Sequence, residues 1–281
     1  MTNRVAVVGG GTMGVGIAYV AALAGGNTVV IEPDDSRAES LARTIQEAIA
    51  GAVTRGKLDE AQGLALAARI TRCASVADIP EGFDIVVETV PERLELKLDV
   101  LRSIAARDPQ LIATNTSALS IDRLAAVLPE PGKVLGMHFF NPVWSIRLVE
   151  LIRGSQTSAE TLERARRFVS SLGKESLTVR DVPGFATSRL DLIASLEAMR
   201  MLESGVASAE DIDRAAVLAY RHPVGPLRLS DIVGLDVRLD IARTLEAAHG
   251  VRFSPPAILI KMVKQGRLGA KSGRGFFEWP E

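Results

Sequence analysis

A single cysteine, Cys73, stands in 281 residues, so the chain can form no internal disulfide and no cysteine cluster for zinc. Histidine is almost as scarce, with three scattered copies at 138, 222 and 249, which excludes most metal centres. No apolar run exceeds strand length, so no membrane span is expected. Charge of one sign is missing too: 33 Lys and Arg balance 34 Asp and Glu, for a net charge of −1. Nothing suggests a nucleic-acid or anionic-membrane surface. Only Met1 to Arg4 precede the first apolar run, which leaves no room for a targeting peptide and predicts a cytoplasmic protein. What is present is ordinary globular material, 47% hydrophobic and 24% charged, long enough for two domains. Cys73 itself reads as a core residue.

The first part of the chain alternates strand and helix. Buried-strand runs occur at Val5–Val8 and Thr28–Ile31, a short strand is expected at Ile70–Cys73, and further strands at Phe83–Glu88, Leu111–Thr114, Val134–Phe140 and Leu148–Ile152. Helical spacing occupies Gly14–Ala24, Ser36–Gly56, Asp59–Arg69, Leu94–Ala106 and Ile121–Ala126. Repeated strand–helix units predict an α/β, Rossmann-type doubly wound parallel sheet. Beyond Asp181-Val182-Pro183-Gly184 only helices are legible: Ser188–Ser204, Ala209–Tyr220, Arg228–His249 and Pro256–Gln265. The expected domains are 1–183, binding a dinucleotide, and 184–281, all helical.

Gly9-x-Gly11-x-x-Gly14 follows the first strand and opens the first helix. Gly9 allows the turn, Gly11 lets backbone approach a pyrophosphate, and Gly14 lets helix and strand pack closely. Gly9, Gly11, Thr12, Met13 and Gly14 are therefore the expected phosphate-side residues, at a helix amino terminus suited to anions. Glu32 ends the second strand, eighteen residues after Gly14. A carboxylate there can accept the ribose hydroxyls and repels a 2′-phosphate, so NAD is favoured over NADP. A packing-only glycine turn with a solvated Glu32 is the plainer alternative.

Longer stretches carry a resemblance. Gly9–Ala18 (GGGTMGVGIA), Asn115-Thr116-Ser117, Gly136–Pro142 (GMHFFNP), Leu148-Val149-Glu150, Val182–Phe185 (VPGF) and Gly266–Phe276 (GRLGAKSGRGF) occur in the order of signatures of the L-3-hydroxyacyl-CoA dehydrogenases, which the chain resembles from first strand to last residues. The length is similar to the bacterial 3-hydroxybutyryl-CoA type. The resemblance implies reversible, NAD-dependent oxidation of a 3-hydroxyacyl thioester in fatty acid metabolism. His138 matches the family's base, and imidazole can take and return a proton near neutral pH. Glu150 matches the carboxylate that orients it. Ser117 matches the hydroxyl that binds the substrate's C3 oxygen. Asn141, Glu92, Lys97 and Lys271 match cofactor-side positions. The helical domain is implied to close the cleft and to form a homodimer, with an acyl-CoA as the other partner. No metal is implied.

Plainer roles stay open for several of these: Ser117 as a helix cap, Glu92 as a helix-start acid, Lys97 and Lys271 as solvated lysines. The pattern also departs from the family. Ser188 stands where the family has an asparagine beside the thioester, and Trp144 where proline is frequent. Losing one well-placed donor can cost ~3 kcal/mol in a transition state. Trp144 narrows an acyl pocket or packs at a rim. Coenzyme A would bring phosphates, for which Arg37, Arg43 and Arg55 are candidates. The same chemistry on a hydroxyacyl carrier protein, 3-hydroxyadipyl-CoA or a carnitine-like acid remains an alternative, as does a non-catalytic dinucleotide-binding relative.

Overall fold

A computed structural model describes residues 3–280, which divide into two units, Met1–Val182 and Pro183–Glu281. The first holds β1 (Arg4–Val8), α1 (Thr12–Leu23), β2 (Asn27–Ile31), α2 (Asp35–Thr54), α3 (Glu60–Ala68), β3 (Ile70–Cys73), β4 (Ile85–Glu88), α4 (Leu94–Ala105), β5 (Ile112–Thr114), α5 (Ile121–Ala125), β6 (Val134–Phe139), β7 (Leu148–Arg153), α6 (Ala159–Ser171) and β8 (Glu175–Arg180). The second holds α7 (Thr187–Glu203), α8 (Ala209–Tyr220), α9 (Pro226–Val233), α10 (Leu235–His249) and α11 (Ala257–Lys264).

One eight-stranded sheet runs β3-β2-β1-β4-β5-β6-β7-β8. The chain leaves β1 toward one side and β4 toward the other, which opens a crevice at their carboxyl ends. Val5 to Val8 are buried, and Val5 and Val7 share one core cluster with Ile17, Ala18, Val20 and Ala21 of α1. The sheet is not parallel throughout: β6 and β7 pair antiparallel. Their connection, Phe140–Arg147, is too short for a crossover helix, so the chain must turn straight back. The sequence reading missed α6 and β8. α6 buries only a stripe of Leu162, Ala165, Phe168 and Val169, and β8 is a polar edge strand. Cys73 is half-buried at the end of the other edge strand, not in the core.

The helical unit packs Leu192, Leu196 and Met199 of α7 against Leu227, Leu235, Leu239, Leu245 and Leu259. The helix expected over Arg228–His249 is broken at Gly234, whose φ of 102° interrupts the ladder between α9 and α10. Buried Asp231 accepts the N–H groups of Phe276 and Phe277 and the Trp279 indole, each at 2.9 Å. A Cβ on Gly275 would lie 2.0 Å from the Asp231 carboxylate, so that glycine serves packing of the carboxyl-terminal tail. Among the described residues no helix is long and apolar enough to cross a membrane.

Candidate active site

The glycine turn at the end of β1 is built by two different constraints. Gly9 has a φ of 110°, and a Cβ on Gly14 would stand 1.9 Å from the Gly9 carbonyl oxygen. Thr89, after β4, closes the turn by donating its hydroxyl to the Val8 and Gly9 carbonyls at 3.0 Å. Gly11 differs: a Cβ there would meet nothing within 4 Å. Packing does not demand glycine at 11, whereas close approach of a ligand does. Gly11 also caps α1 without a side-chain bond, and the first turn contains no acid. The helix's leading N–H groups therefore suit a pyrophosphate. Thr12 is exposed and Met13 half-buried in that turn.

Glu32 lies just beyond β2 and is buried. Its carboxylate accepts from Gly10 N–H at 2.9 Å and Asp34 N–H at 3.1 Å. It is thus held beside the glycine turn, with lone pairs remaining for ribose hydroxyls. Gly10 was not singled out from sequence, yet a Cβ there would press on Glu32 at 3.0 Å. The glycine turn, the uncapped helix and the fixed carboxylate together fit NAD.

His138 and Glu150 are cross-strand partners in the β6–β7 register. Their separation of twelve positions is what a direct return of the chain requires. His138 Nδ1 lies 2.9 Å from Glu150 Oε2. Glu150 is fully buried and His138 nearly so, and Phe140 packs its ring on the imidazole at 4.5 Å. The pair is an imidazole oriented by a carboxylate, able to accept and return one proton.

Ser117 is exposed in the loop after β5 and does not cap a helix; Ser120 caps α5 instead. Glu92 grips the Ser117 loop: one carboxylate oxygen accepts the Thr116 hydroxyl and the N–H groups of Ser117 and Ala118, the latter two at 3.1 Å. Lys97 is not solvated. It is 1% exposed, and its ammonium donates to both oxygens of Glu88 (2.8 and 3.0 Å) and to the Val90 carbonyl, with Glu92 at 3.3 Å. Lys97 therefore reaches the Ser117 loop through Glu92. Burial pushes the Glu88 carboxyl up, opposed by the Lys97 charge. Glu88 and Thr114, linked at 2.6 Å, went unnoticed in the sequence. Their only signal was a polar residue ending each of two apolar strands.

Asn141 is exposed at the start of the β6–β7 turn, two residues past β6. Asn115 also secures β6, accepting the Phe139 N–H at 2.8 Å. A cavity of about 440 Å³ lies between α1, α2 and this turn, lined by Tyr19, Ala48, Arg55, Lys57 and Trp144 among others. Arg37 and Arg43 are exposed on α2 but do not line it. Burial raises the Tyr19 phenol, against the Arg55 charge. In the helical unit, Ser188 is half-buried in the first turn of α7. Lys271 pairs with Asp236 at 2.6 Å, which holds the Asp236 carboxyl below the usual range.

Comparison with known proteins agrees with this geometry. The model of the 3-hydroxyacyl-CoA dehydrogenase NAD binding domain matches residues 4–182, and that of the family's C-terminal domain matches 184–279. A 3-hydroxybutyryl-CoA dehydrogenase of Mycobacterium tuberculosis is 38% identical over 282 residues, 99% of this chain and 98% of that one. The 3-hydroxyadipyl-CoA dehydrogenase of Escherichia coli is 38% identical over 286 residues, 99% of this chain and 59% of its own. The crystal structure of (S)-3-hydroxybutyryl-CoA dehydrogenase from Ralstonia eutropha superposes with a TM-score of 0.96 at 37% identity, covering 100% of both chains. With the dinucleotide turn, the oriented histidine and both domain matches in one chain, the protein belongs to the 3-hydroxyacyl-CoA dehydrogenase family and is an NAD-dependent enzyme of that class.

Proposed function

We propose that the substrate is a short-chain (3S)-3-hydroxyacyl-CoA, most simply 3-hydroxybutyryl-CoA, oxidised reversibly to the 3-oxoacyl-CoA. The His138–Glu150 pair carries the reading. With Nδ1 engaged by Glu150, proton exchange falls to His138 Nε2, which takes the C3 hydroxyl proton as hydride departs. Buried Glu150 fixes the ring and offsets the imidazolium charge. NAD, when bound, supplies the hydride acceptor. The Ser117 hydroxyl donates to the C3 oxygen, and Glu92 and Lys97 set the place of its loop on the cofactor side. Gly9, Gly11, Thr12, Met13 and Gly14 hold the pyrophosphate, Glu32 the adenosine ribose, and Asn141 the nicotinamide side. Lys271 and Ser188 are the helical domain's contributions, to cofactor and thioester respectively.

The short chain is supported by full-length relatives named for 3-hydroxybutyryl-CoA, and Trp144 walls the cavity between α1 and α2. That cavity, with aromatic walls and Arg55 and Lys57 at its edge, suits the coenzyme A moiety. The relative named for 3-hydroxyadipyl-CoA keeps a dicarboxylic acyl group as the second reading. The helical domain, in this reading, also pairs two chains in a homodimer. The test is NADH or NADPH oxidation with acetoacetyl-CoA, and with 3-oxoadipyl-CoA in parallel. Fast NADH-dependent turnover of acetoacetyl-CoA is expected. Turnover of the dicarboxylic substrate alone would displace the short-chain reading, and equal use of NADPH would remove Glu32 from its role.

A further inference from the structure

The turn from Phe140 to Arg147 joins the strand of His138 to the strand of Glu150 and carries both Asn141 and Trp144. Its end is tied by Arg147, which pairs with Glu175 at 2.9 Å, and three contacts bear on its middle. Val143 presses on α1 at Gly16, where an added Cβ would lie 2.7 Å from the Val143 side chain. The Trp144 ring meets Tyr19 edge-on, with centroids 6.0 Å apart. The third contact is Lys174, one residue before β8. Its side chain is buried, and its ammonium donates to the Val143 carbonyl and, at 2.6 Å, to the Ile146 carbonyl.

This arrangement is costly for folding alone. Among the described residues no carboxylate pairs with Lys174, and burial pulls its ammonium below the usual lysine range. A buried cation without a counter-ion is worse for stability than an apolar side chain of the same size. What the ammonium adds is direction: two carbonyls on either side of Trp144 must face one point. That fixes where the turn places the Trp144 wall of the cavity.

We propose that Lys174 is a positioning residue for substrate, its buried ammonium clamping the Phe140–Arg147 turn so that Trp144 is held in place for the acyl-CoA. The proposal rests on the reading that the cavity beside Trp144 receives coenzyme A.

Lys174→Met keeps the length of the side chain and removes its charge and donors. The chain has two tryptophans, Trp144 and Trp279, so subtracting the spectrum of a Trp144→Phe variant isolates the Trp144 emission. Lys174→Met is expected to shift that emission and to raise the KM for acetoacetyl-CoA about tenfold, since small misplacements are amplified in rate and binding. The Kd for NADH should stay within about twofold, because the glycine turn is untouched. Lys174→Arg, which restores charge and donors, should recover most of the KM. A lowered melting temperature with unchanged KM and unchanged Trp144 emission would make Lys174 merely structural and overturn the proposal. Should Lys174→Met not fold, Gly16→Ala displaces Val143 from the opposite side with Lys174 intact. It must raise the same KM, and an unchanged KM overturns the idea. The underlying reading is probed separately with coenzyme A alone: wild-type Trp144 emission that ignores saturating coenzyme A sinks the cavity assignment, while the response to Lys174→Met still tests the clamp.

Discussion

His138 and Glu150 divide one task between a group that moves a proton and a group that stays put. In the proposed reaction the imidazole exchanges its proton with substrate, while the fully buried carboxylate holds the ring in one orientation and one tautomer. Removing them should therefore have unequal costs. His138→Gln is expected to lower kcat by about 10³-fold, within the range of general-base catalysis. Glu150→Gln keeps a hydrogen bond but not the charge, and should lower kcat less while shifting the pH–rate profile. NADH titration should give wild-type Kd values for both, because neither residue borders the glycine turn. A His138→Gln variant with undiminished kcat would remove the base assignment. This pair was legible in the sequence because both residues lie in stretches that resemble the family's signatures; the antiparallel return that brings them together was not. Nor was the Glu88–Lys97–Thr114 cluster. Thr114 lies 26 positions from Glu88 and meets it only because β4 and β5 are neighbours in the sheet.

At the scale of elements, glycines of one motif do separable jobs. Gly14→Ala forces a methyl to within 1.9 Å of the Gly9 carbonyl oxygen, so α1 must move off β1. Its melting temperature should fall clearly. Gly11→Ala meets no protein atom within 4 Å and should melt within about 2 °C of wild type. Its NADH affinity should nonetheless fall by roughly tenfold or more, as a methyl intrudes where the pyrophosphate approaches. Equal NADH affinity in Gly11→Ala and wild type would refute that division. The Lys97 network makes a second prediction at this scale. Lys97→Met strands Glu88 in the core, at a cost of about 3–5 kcal/mol near neutral pH. Glu88 is already pushed up by burial, and losing the Lys97 charge pushes it further. The folded variant then binds a proton that the unfolded chain releases above the ordinary carboxylate range, so its stability falls as pH rises. Denaturant melts at pH 5 and pH 8 should show the deficit against wild type shrinking at the lower value; a deficit that grows toward acid contradicts the assignment. Apart from α6 and β8, the strands and helices of the first unit were readable from apolar runs and spacing. β8 escaped because an edge strand buries little and so shows no continuous apolar run. The sense of β7 could have been inferred from the short connection before it.

At the scale of the whole molecule, the two units spend apolar side chains differently. The helical unit leaves Leu190, Leu218, Tyr220 and Val251 more than two-thirds exposed, with Val206 and Ile232 also well exposed. Among its described residues the sheet unit leaves only Leu64 comparably bare. Single exposed apolar residues need no explanation, but such a bias toward one unit is what a self-associating surface produces. Leu218 and Tyr220 share the last turn of α8, and Ile232 and Val233 end α9, the helix packed beside it. A twofold interface repeats each contact, so one charge placed there enters twice. Light scattering should accordingly report close to twice the 30.0 kDa chain mass. Leu218→Glu should move the mass toward the single-chain value without abolishing NADH binding, since the dinucleotide turn lies wholly in the other unit. A wild-type mass of one chain at micromolar concentration would remove the dimer, whereas a Leu218→Glu protein that stays dimeric would move the interface to another face of the helical unit.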